Sequence, residues 1–442
     1  MNNAFVNLRT VYDDKSEISL DYLTKCYNDV DKLQKIVNSL LSTSITETAI
    51  KGKNVMLKPN WVKEDTAPYD SVCLRTNDNL LLCVVRYLVS LSPAKLLVAD
   101  APIQDCNWDL MLKSEVRKEL ENISAESHVP ILIKDLRRVQ TNFHENTTSR
   151  DLHGMDEYLI FDMGEKSNLE PITDNKKSFR VTNYDPDKMA KVHSKGVHKY
   201  CIAKEVFDYD VIITMPKTKT HRMAGLTNSL KILIGINGDK EYLPHHRIGA
   251  KESGGDCYKG KNPLRHLAEL LSDASNRHIG KWQFHLLRRS AILCWLLSFP
   301  GKKRFLNAGW YGNDTIWRTV LDLNYVAAYG KNDGTIADTP QRQLLTICDE
   351  IVCGQGDGPL YPKPLPMGII AVSNNAYLMD IVAGTLMDLN IDKIPLLKAA
   401  TDIVGGKSFT IMMNDRSVSL KDLRAYAVKA ELPPGWVDYN KQ

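Results

Sequence analysis

The chain alternates short apolar runs with longer segments of helical periodicity. Apolar runs lie at residues 54–57, 95–99, 129–133, 211–215, 344–348 and 369–372. Runs of this kind, without regular polar alternation, are typical of strands that are covered on both faces of a parallel sheet. The helical segments between them predict βαβ units. We therefore predict an α/β fold with a mostly parallel, doubly wound sheet.

Two further segments with helical patterns predict the domain organisation. The periodicity of residues 18–42 predicts a helical leader, which we place at residues 1–44. A mainly helical insertion is predicted for residues 261–335. The α/β core then comprises residues 45–260 and 336–442.

The insertion contains the most apolar stretch of the chain, residues 284–299, which is followed by the basic residues Lys302, Lys303 and Arg304. This stretch is shorter than the ~20 residues that a membrane-spanning helix needs. We interpret it as a core helix. The alternative is an interfacial helix with a basic flank, in peripheral contact with a membrane.

The candidate chemistry is concentrated in residues 210–247. The run Val211–Met215 predicts a buried strand that ends at a proline, since proline brings no N–H to a sheet. Lys217, Lys219 and His221 follow at every second position, in a predicted loop. Open α/β sheets bind their ligands at the carboxyl ends of their strands, so this loop is a candidate anion site.

Other polar residues are expected at the same edge of the sheet. Asn228 and Lys231 share one face of a predicted helix that can turn back towards the lysines. Lys58 and Asn60 follow another buried apolar run, which also meets a lysine and a proline at its carboxyl end. The alternative is that these lysines are solvated, as most loop lysines are. We predict that one pocket is lined by Lys58, Lys217, Lys219, His221 and Lys231.

Five of the eleven histidines fall between residues 193 and 246, and their spacing matches no familiar zinc motif. Acid–base chemistry is therefore a better interpretation of these histidines than metal binding, although binding of a divalent metal remains the alternative. The catalytic candidates are His221 with His245 or His246. Asp349, at the end of another predicted strand, is a candidate for orienting a histidine or binding a cation.

A glycine-rich loop follows that strand. Gly356 and Gly358 are candidate substrate-binding residues, because a backbone without side chains can approach a ligand closely. No dinucleotide or P-loop fingerprint is present in the sequence.

Composition limits the partners and the cofactors. The 57 Lys and Arg against 53 Asp and Glu give a net charge of +4, which does not favour a nucleic-acid partner. The nine cysteines include no C-x-x-C pair, so we expect no iron–sulfur cluster and a reducing, cytoplasmic location. Neither a secretory signal nor a transmembrane segment is predicted.

Several short motifs carry a family resemblance. They are K-P-N at Lys58, D-A-P at Asp100, M-P-K-T-K-T-H from Met215, L-P-H-H at Leu243, and D-E-I-V-C-G-Q-G-D-G-P from Asp349. In this order they resemble the domain of unknown function 362 family over roughly residues 50–405. The long form with L-P-H-H resembles members that are encoded beside polysaccharide genes.

The resemblance implies candidate positions but no substrate, because the family has no settled reaction. Many members carry a cysteine-rich, ferredoxin-like module, and this chain lacks those cysteines. Gln355 stands where an acidic residue is expected, and Asn375-Ala376 where aspartate and proline are expected.

These observations predict an enzyme that acts on a small anionic, phosphorylated or carboxylated, sugar-like substrate. The substrate-binding candidates are Lys58, Asn60, Lys217, Lys219, Asn228, Lys231, Gly356 and Gly358. A redox or racemase-like reaction is a variant, because the D-A-P element resembles, loosely, the amino-terminal half of nickel-dependent lactate racemases. The competing hypothesis is a non-catalytic protein that binds an anion or an acidic partner.

Overall fold

The computed structural model describes residues 3–142, 148–299, 305 and 307–439. Its strands are β1 (Ala4–Thr10), β2 (Asn54–Pro59), β3 (Lys95–Asp100), β4 (Ile131–Asp135), β5 (Val139–Asn142), β6 (Thr148–Asp151), β7 (Tyr158–Asp162), β8 (Phe179–Arg180), β9 (His193–Ser194), β10 (Val197–Ala203), β11 (Val211–Met215), β12 (Lys217–His221), β13 (Gly225–Thr227), β14 (His246–Arg247), β15 (Gln343–Asp357), β16 (Tyr361–Ser373), β17 (Phe409–Met413) and β18 (Arg416–Ser417).

The α-helices are α1 (Leu20–Asn28), α2 (Val30–Ser42), α3 (Glu47–Ile50), α4 (Asp70–Cys73), α5 (Asp78–Ser90), α6 (Trp108–Met111), α7 (Ser114–Ser127), α8 (Pro186–Val192), α9 (Pro263–Asn276), α10 (Trp282–Leu297), α11 (Ile316–Tyr329), α12 (Ala376–Leu386) and α13 (Pro395–Val404). Two short 3₁₀ helices, Lys231–Ile236 and Lys240–Tyr242, lie beside the candidate site.

The largest sheet has the strand order β18-β17-β1-β16-β15-β11-β2-β3-β4. Strands β15, β11, β2, β3 and β4 are parallel neighbours. β16 runs antiparallel to both β15 and β1, and β1 is parallel to β17. The predicted α/β class with a mostly parallel sheet is therefore confirmed.

Strand β11 shows that the sheet is covered on both faces. Val211 and Ile213 pack into a core that includes residues of α1, α2, α5 and α7. Ile212 points the other way and packs with Phe161 and Leu323. All five residues of β11 are buried, which explains why this run shows no alternation of apolar and polar residues.

The amino-terminal segment contributes a strand as well as helices. α1 and α2 account for the periodicity of residues 18–42. Before them, β1 lies between β16 and β17 in the large sheet. Only Val6 and Leu8 of β1 are buried. Two buried apolar residues in a strand of 7 residues are a weak sequence signal. The predicted leader is thus not purely helical, and its bounds as a domain stay a prediction.

The residues that follow β11 form a strand rather than the predicted loop. β12 pairs in parallel with the long strand β15 and antiparallel with β13, and all five of its residues are buried. The helix predicted to carry both Asn228 and Lys231 is shorter than expected: β13 extends to Thr227, and a 3₁₀ helix starts only at Lys231. Pairing with the extended end of β15 satisfies the backbone here and holds it extended.

The interpretation of residues 284–299 as a core helix is wrong. In α10 only Phe284 and Ala291 are buried, whereas Trp282 is 71% exposed and Leu297 64%. The basic residues predicted to flank this helix, Lys302, Lys303 and Arg304, lie outside the described residues. Within the described ranges, no helix has the length and the apolar character that crossing a membrane requires.

Candidate anion-binding site

A cavity of about 470 Å³ opens at the carboxyl edge of the sheet, where β2, β3 and β12 end. Its lining is rich in cationic side chains and poor in carboxylates. The cations are Lys58, Lys219, Arg222, Lys231, Lys240 and Arg288. The carboxylates are Asp100 and Asp105. Cations outnumber anions at this edge, although the whole chain is close to neutral.

Lys58 and Asp100 form a buried ion pair at the floor of the cavity. Lys58 Nζ lies 2.7 Å from Asp100 Oδ1, and the backbone N–H of Trp61 donates to Asp100 Oδ2 at 2.9 Å. Burial lowers the pKa of Lys58, and the charge of Asp100 opposes that shift. A Cβ atom on Gly235 would lie 2.3 Å from Asp100 Oδ1 and 2.6 Å from Lys58 Nζ, so only glycine leaves room for the pair.

Lys219 and Lys240 are buried lysines whose ammonium groups bond to backbone carbonyls. Lys219 Nζ donates to the carbonyl of Leu74, and Lys240 Nζ donates to the carbonyls of Ala101 and Asn237 at 3.0 and 3.1 Å. No carboxylate of the described residues forms an ion pair with either. Burial, the main cause, lowers the pKa of each to about 7.

Lys231, at the start of the 3₁₀ helix, has no hydrogen-bond or ion-pair partner among the described residues. Its side chain is partly buried. Burial and then the charge of Lys58 lower its pKa to about 8. An ammonium group in this position is costly unless an anion neutralises it.

The two histidines of the cavity have complementary protonation patterns. His221 Nδ1 accepts hydrogen bonds from the backbone N–H groups of Met223 and Ala224, both at 3.0 Å, so its proton lies on Nε2. His245 Nδ1 lies 2.7 Å from the carbonyl of Leu243 and must donate to it, so its Nε2 carries a free lone pair. The Nε2 of His221 can therefore donate a hydrogen bond, and the Nε2 of His245 can accept a proton.

Both rings are held neutral. Burial, followed by the charge of Lys231, lowers the pKa of His221 well below its usual value. The same two causes lower the pKa of His245 to about 4. A negative ligand beside Lys231 would offset part of this effect, because it would cancel the charge that disfavours the imidazolium form.

Three buried polar atoms of the cavity lining have no hydrogen-bond partner among the residues that the structure describes. They are Asn60 Oδ1, Gln104 Oε1 and Thr227 Oγ1. Buried polar atoms normally find a partner, and each one that does not costs about 1–3 kcal/mol. The two amide oxygens can only accept, so a ligand with hydroxyl groups would satisfy them.

Lys217 and Asp349 lie beneath the cavity and do not line it. Lys217 Nζ is 2.7 Å from Asp349 Oδ2 and donates to Tyr27 Oη at 2.9 Å. Asp349 also accepts from the hydroxyl of Tyr27 and from the backbone N–H of Asn77. Among the described residues, Asp349 contacts no histidine. The register of β12 against β15 shifts between Lys217 and Lys219, which separates these two lysines.

The four remaining predicted residues also fall outside the lining. Asn228 accepts from the hydroxyl of Thr218 at 3.1 Å, and His246 lies in β14. The backbone N–H of Gly356 donates to the carbonyl of Glu431 at 2.8 Å. A Cβ atom on Gly358 would lie 1.9 Å from the carbonyl oxygen of Thr220, so the close approach at this glycine is to the protein's own backbone.

Several lining residues were not among the predicted site residues. Asp100 ends β3 and Lys240 falls within residues 210–247, so both carried the signals that led to the other candidates. Gln104 follows Asp100 closely. Arg288 reaches the cavity from α10, and nothing in its local sequence indicates that position.

No group of three or more His, Cys, Asp or Glu side chains within the described ranges is placed to hold a metal ion. All nine cysteines are free thiols, and eight of them are buried.

The family model described as "Domain of unknown function (DUF362)" matches residues 153–385, more than half of the chain. The chain belongs to this family. The DUF362 match includes Lys219, His221, Lys231 and His245, whereas Lys58 lies before it. The predicted family membership is thus confirmed, and the link to polysaccharide genes stays a prediction.

Comparisons with individual proteins add little to the family assignment. No curated protein matches the chain. A crystal structure of a protein from Thermotoga maritima is 9% identical, with a TM-score of 0.35, over 84% of this chain and 59% of that one. A lactate racemase apoprotein from Thermoanaerobacterium thermosaccharolyticum is 11% identical, with a TM-score of 0.30, over 86% of this chain and 57% of that one. The chain spans less than two thirds of either, and these likenesses carry no argument about activity.

Proposed function

We propose that this protein is an enzyme that performs acid–base chemistry on a small anionic substrate with hydroxyl groups, a phosphorylated or carboxylated sugar-like compound. The observation that carries the proposal is the occurrence in one cavity of Lys231, whose ammonium group has no partner among the described residues, and two neutral histidines of opposite protonation pattern. The first feature selects the charge of the ligand, and the second supplies a donor and an acceptor for protons.

The anionic group of the substrate binds at Lys231, with Lys219 and Lys240 beside it. None of these three ammonium groups forms an ion pair with a carboxylate in the described part of the chain, so a phosphate or carboxylate gains charge-assisted hydrogen bonds there. Lys58 is already neutralised by Asp100 and orients that carboxylate. Hydroxyl groups of the substrate donate to the amide oxygens of Asn60 and Gln104.

His245 acts as the base in this proposal. Its Nε2 takes a proton from the substrate, and the ring becomes an imidazolium ion that still donates from Nδ1 to the carbonyl of Leu243. The Nε2–H of His221 donates to the substrate oxygen on which negative charge develops. The bound anion assists, because it cancels the Lys231 charge that lowers the pKa of His245.

Exchange of substrate hydrogens with solvent tests this chemistry directly. Phosphorylated and carboxylated sugars are incubated with the protein in D₂O, and loss of carbon-bound proton signals is followed by NMR. We expect exchange or conversion of at least one such compound by wild type, and loss of it in His245→Gln, because glutamine has no basic nitrogen.

The matched control is His246→Gln, which changes the neighbouring histidine outside the cavity lining. It is expected to retain exchange. If anions bind but neither exchange nor conversion occurs with any compound, the protein is a binder and the catalytic part of the proposal is wrong. Equal loss in both variants, with thermal stability intact, would also contradict the role of His245.

A further inference from the structure

Helices α9 and α10 form an antiparallel pair on the surface, called here the α9–α10 hairpin (residues 263–297). The start of α9 is tied to the end of α10, because Asn262 Nδ2 donates to the carbonyl of Ser298 at 3.0 Å. The guanidinium group of Arg265 lies 4.7 Å from the ring centre of Phe299. These contacts hold the two helices together.

The hairpin exposes an unusual amount of apolar surface. Of 17 exposed large apolar side chains among the described residues, eight lie on it, although it forms less than a tenth of the chain. On α10, Trp282, Leu286, Leu293 and Leu297 follow one another at spacings of 4, 7 and 4 residues, which places them on one face of the helix. A concentration of exposed apolar side chains of this kind on one helix pair marks an interaction site.

The charges on the hairpin all have one sign where they are exposed. Arg289 lies between Leu286 and Leu293 on the exposed side of α10, and Lys281 is exposed just before this helix. The carboxylates within residues 263–297 are Glu269 and Asp273, and both are buried. An exposed face of leucine, isoleucine and tryptophan with cationic neighbours fits a lipid surface that carries negative charge.

We propose that the α9–α10 hairpin docks this protein onto an anionic membrane surface, with the apolar face of α10 in the headgroup region. The apolar side chains enter the lipid, while Lys281 and Arg289 meet the lipid phosphates. The hairpin lies in the interface and does not cross it, because α10 has only 16 residues. α10 also carries Arg288 to the cavity, so docking holds the cavity near the membrane.

Vesicle flotation with the full chain tests this proposal. The probes are vesicles of phosphatidylcholine alone and of phosphatidylcholine with phosphatidylglycerol. Wild type is expected to float with both and more strongly with the anionic vesicles. Leu286→Ser/Leu293→Ser removes two side chains that are each 57% exposed and is expected to weaken partitioning roughly tenfold or more.

Leu110→Ser/Leu132→Ser is the matched control, since these leucines are 64% and 50% exposed elsewhere on the surface. It is expected to float like wild type. Lys281→Glu/Arg289→Glu is expected to lose the preference for anionic vesicles while keeping the weaker binding to neutral ones. None of these side chains is buried, so folding is expected to survive each change.

Three outcomes would overturn the proposal. If wild type floats with neither kind of vesicle, the hairpin is not a membrane-docking face. Equal loss of vesicle binding in the two double-leucine variants would show that the hairpin does not mediate the binding. If sedimentation velocity shows a wild-type dimer that Leu286→Ser/Leu293→Ser converts to a monomer, and no vesicle binding occurs, the occupant is a second copy of the chain.

Discussion

Replacing Lys231 by methionine should make the ligand-free protein more stable. Methionine keeps the length and the apolar contacts of the side chain but removes the ammonium group. No hydrogen bond or ion pair among the described residues is lost with it. The variant therefore isolates the cost of holding a cation next to Lys58 with no carboxylate of the described residues paired to it.

The size of the effect follows from the pKa of Lys231. A fall from 10.5 to about 8 corresponds to about 3 kcal/mol against the protonated form. Solvent reaches part of this side chain and screens its charge, so we expect a gain of about 1–2 kcal/mol in unfolding free energy. For a chain of this length, the gain corresponds to about 1–2 °C in Tm.

The stability difference between Lys231→Met and wild type should depend on pH in a defined direction. Lys231 loses its proton in the folded state near pH 8 and in the unfolded state near pH 10.5, so wild type gains stability as the pH rises between these values. Lys231→Met does not titrate there. Its advantage over wild type should be full below about pH 8 and should shrink towards pH 10.

Differential scanning calorimetry in buffer free of phosphate and sulfate gives the comparison. Sulfate should then raise the Tm of wild type and have a smaller effect on the variant, because binding to the folded state stabilises it by mass action. Lys118→Met, at an exposed position of α7, is the control and should change neither value. If Lys231→Met is destabilised and keeps the full sulfate response, Lys231 is a structural residue and does not bind the anion.

Three further expectations concern the surroundings of the cavity. Lys217→Met should destabilise by about 3–5 kcal/mol at neutral pH, since it leaves the carboxylate of Asp349 buried without its cation; urea unfolding measures this. Gly235→Ala should displace the Lys58–Asp100 ion pair and so weaken sulfate binding measured by calorimetry, whereas Gly405→Ala, where the nearest atom would lie 3.2 Å from the new Cβ, should not weaken it. Sulfate affinity of wild type should fall as the pH rises from about 7 to 9, because Lys219 and Lys240 lose their protons from about pH 7. An affinity that does not change over this range would contradict the role of these two lysines in binding the anion.

The sequence was sufficient to place much of the site at one edge of one sheet. Unbroken apolar runs identify β2, β3 and β11 as parallel strands, and the carboxyl ends of such strands meet at the same edge. This is why Lys58, Lys219 and His221 could be predicted to converge from distant positions.

The ion-pair partners of these lysines could not be predicted in the same way. Lys217 and Lys219 look alike in sequence, yet one pairs with a buried carboxylate and the other faces the cavity. The register shift that separates them depends on β15, more than a hundred residues later. Local sequence contains the donors but not the long-range pairing that assigns each of them a partner.

The course of α10 was beyond prediction for a different reason. A run of 16 mostly apolar residues fits a core helix and an interfacial helix equally well, because both need apolar side chains over the same length. Only the packing shows that most of its leucines face outward. The contribution of Arg288 to the cavity depends on that same packing.

The cavity is proposed to bind an anion by means of lysines that are partly deprotonated without it. Titration calorimetry of sulfate at pH 8, in two buffers of different ionisation enthalpy, measures the protons taken up on binding. We predict net uptake by wild type, because the anion raises the pKa of lysines that lie at about 7 to 8, and clearly less uptake by Lys231→Met. Binding without proton uptake, or uptake that is the same in the variant, would contradict the account.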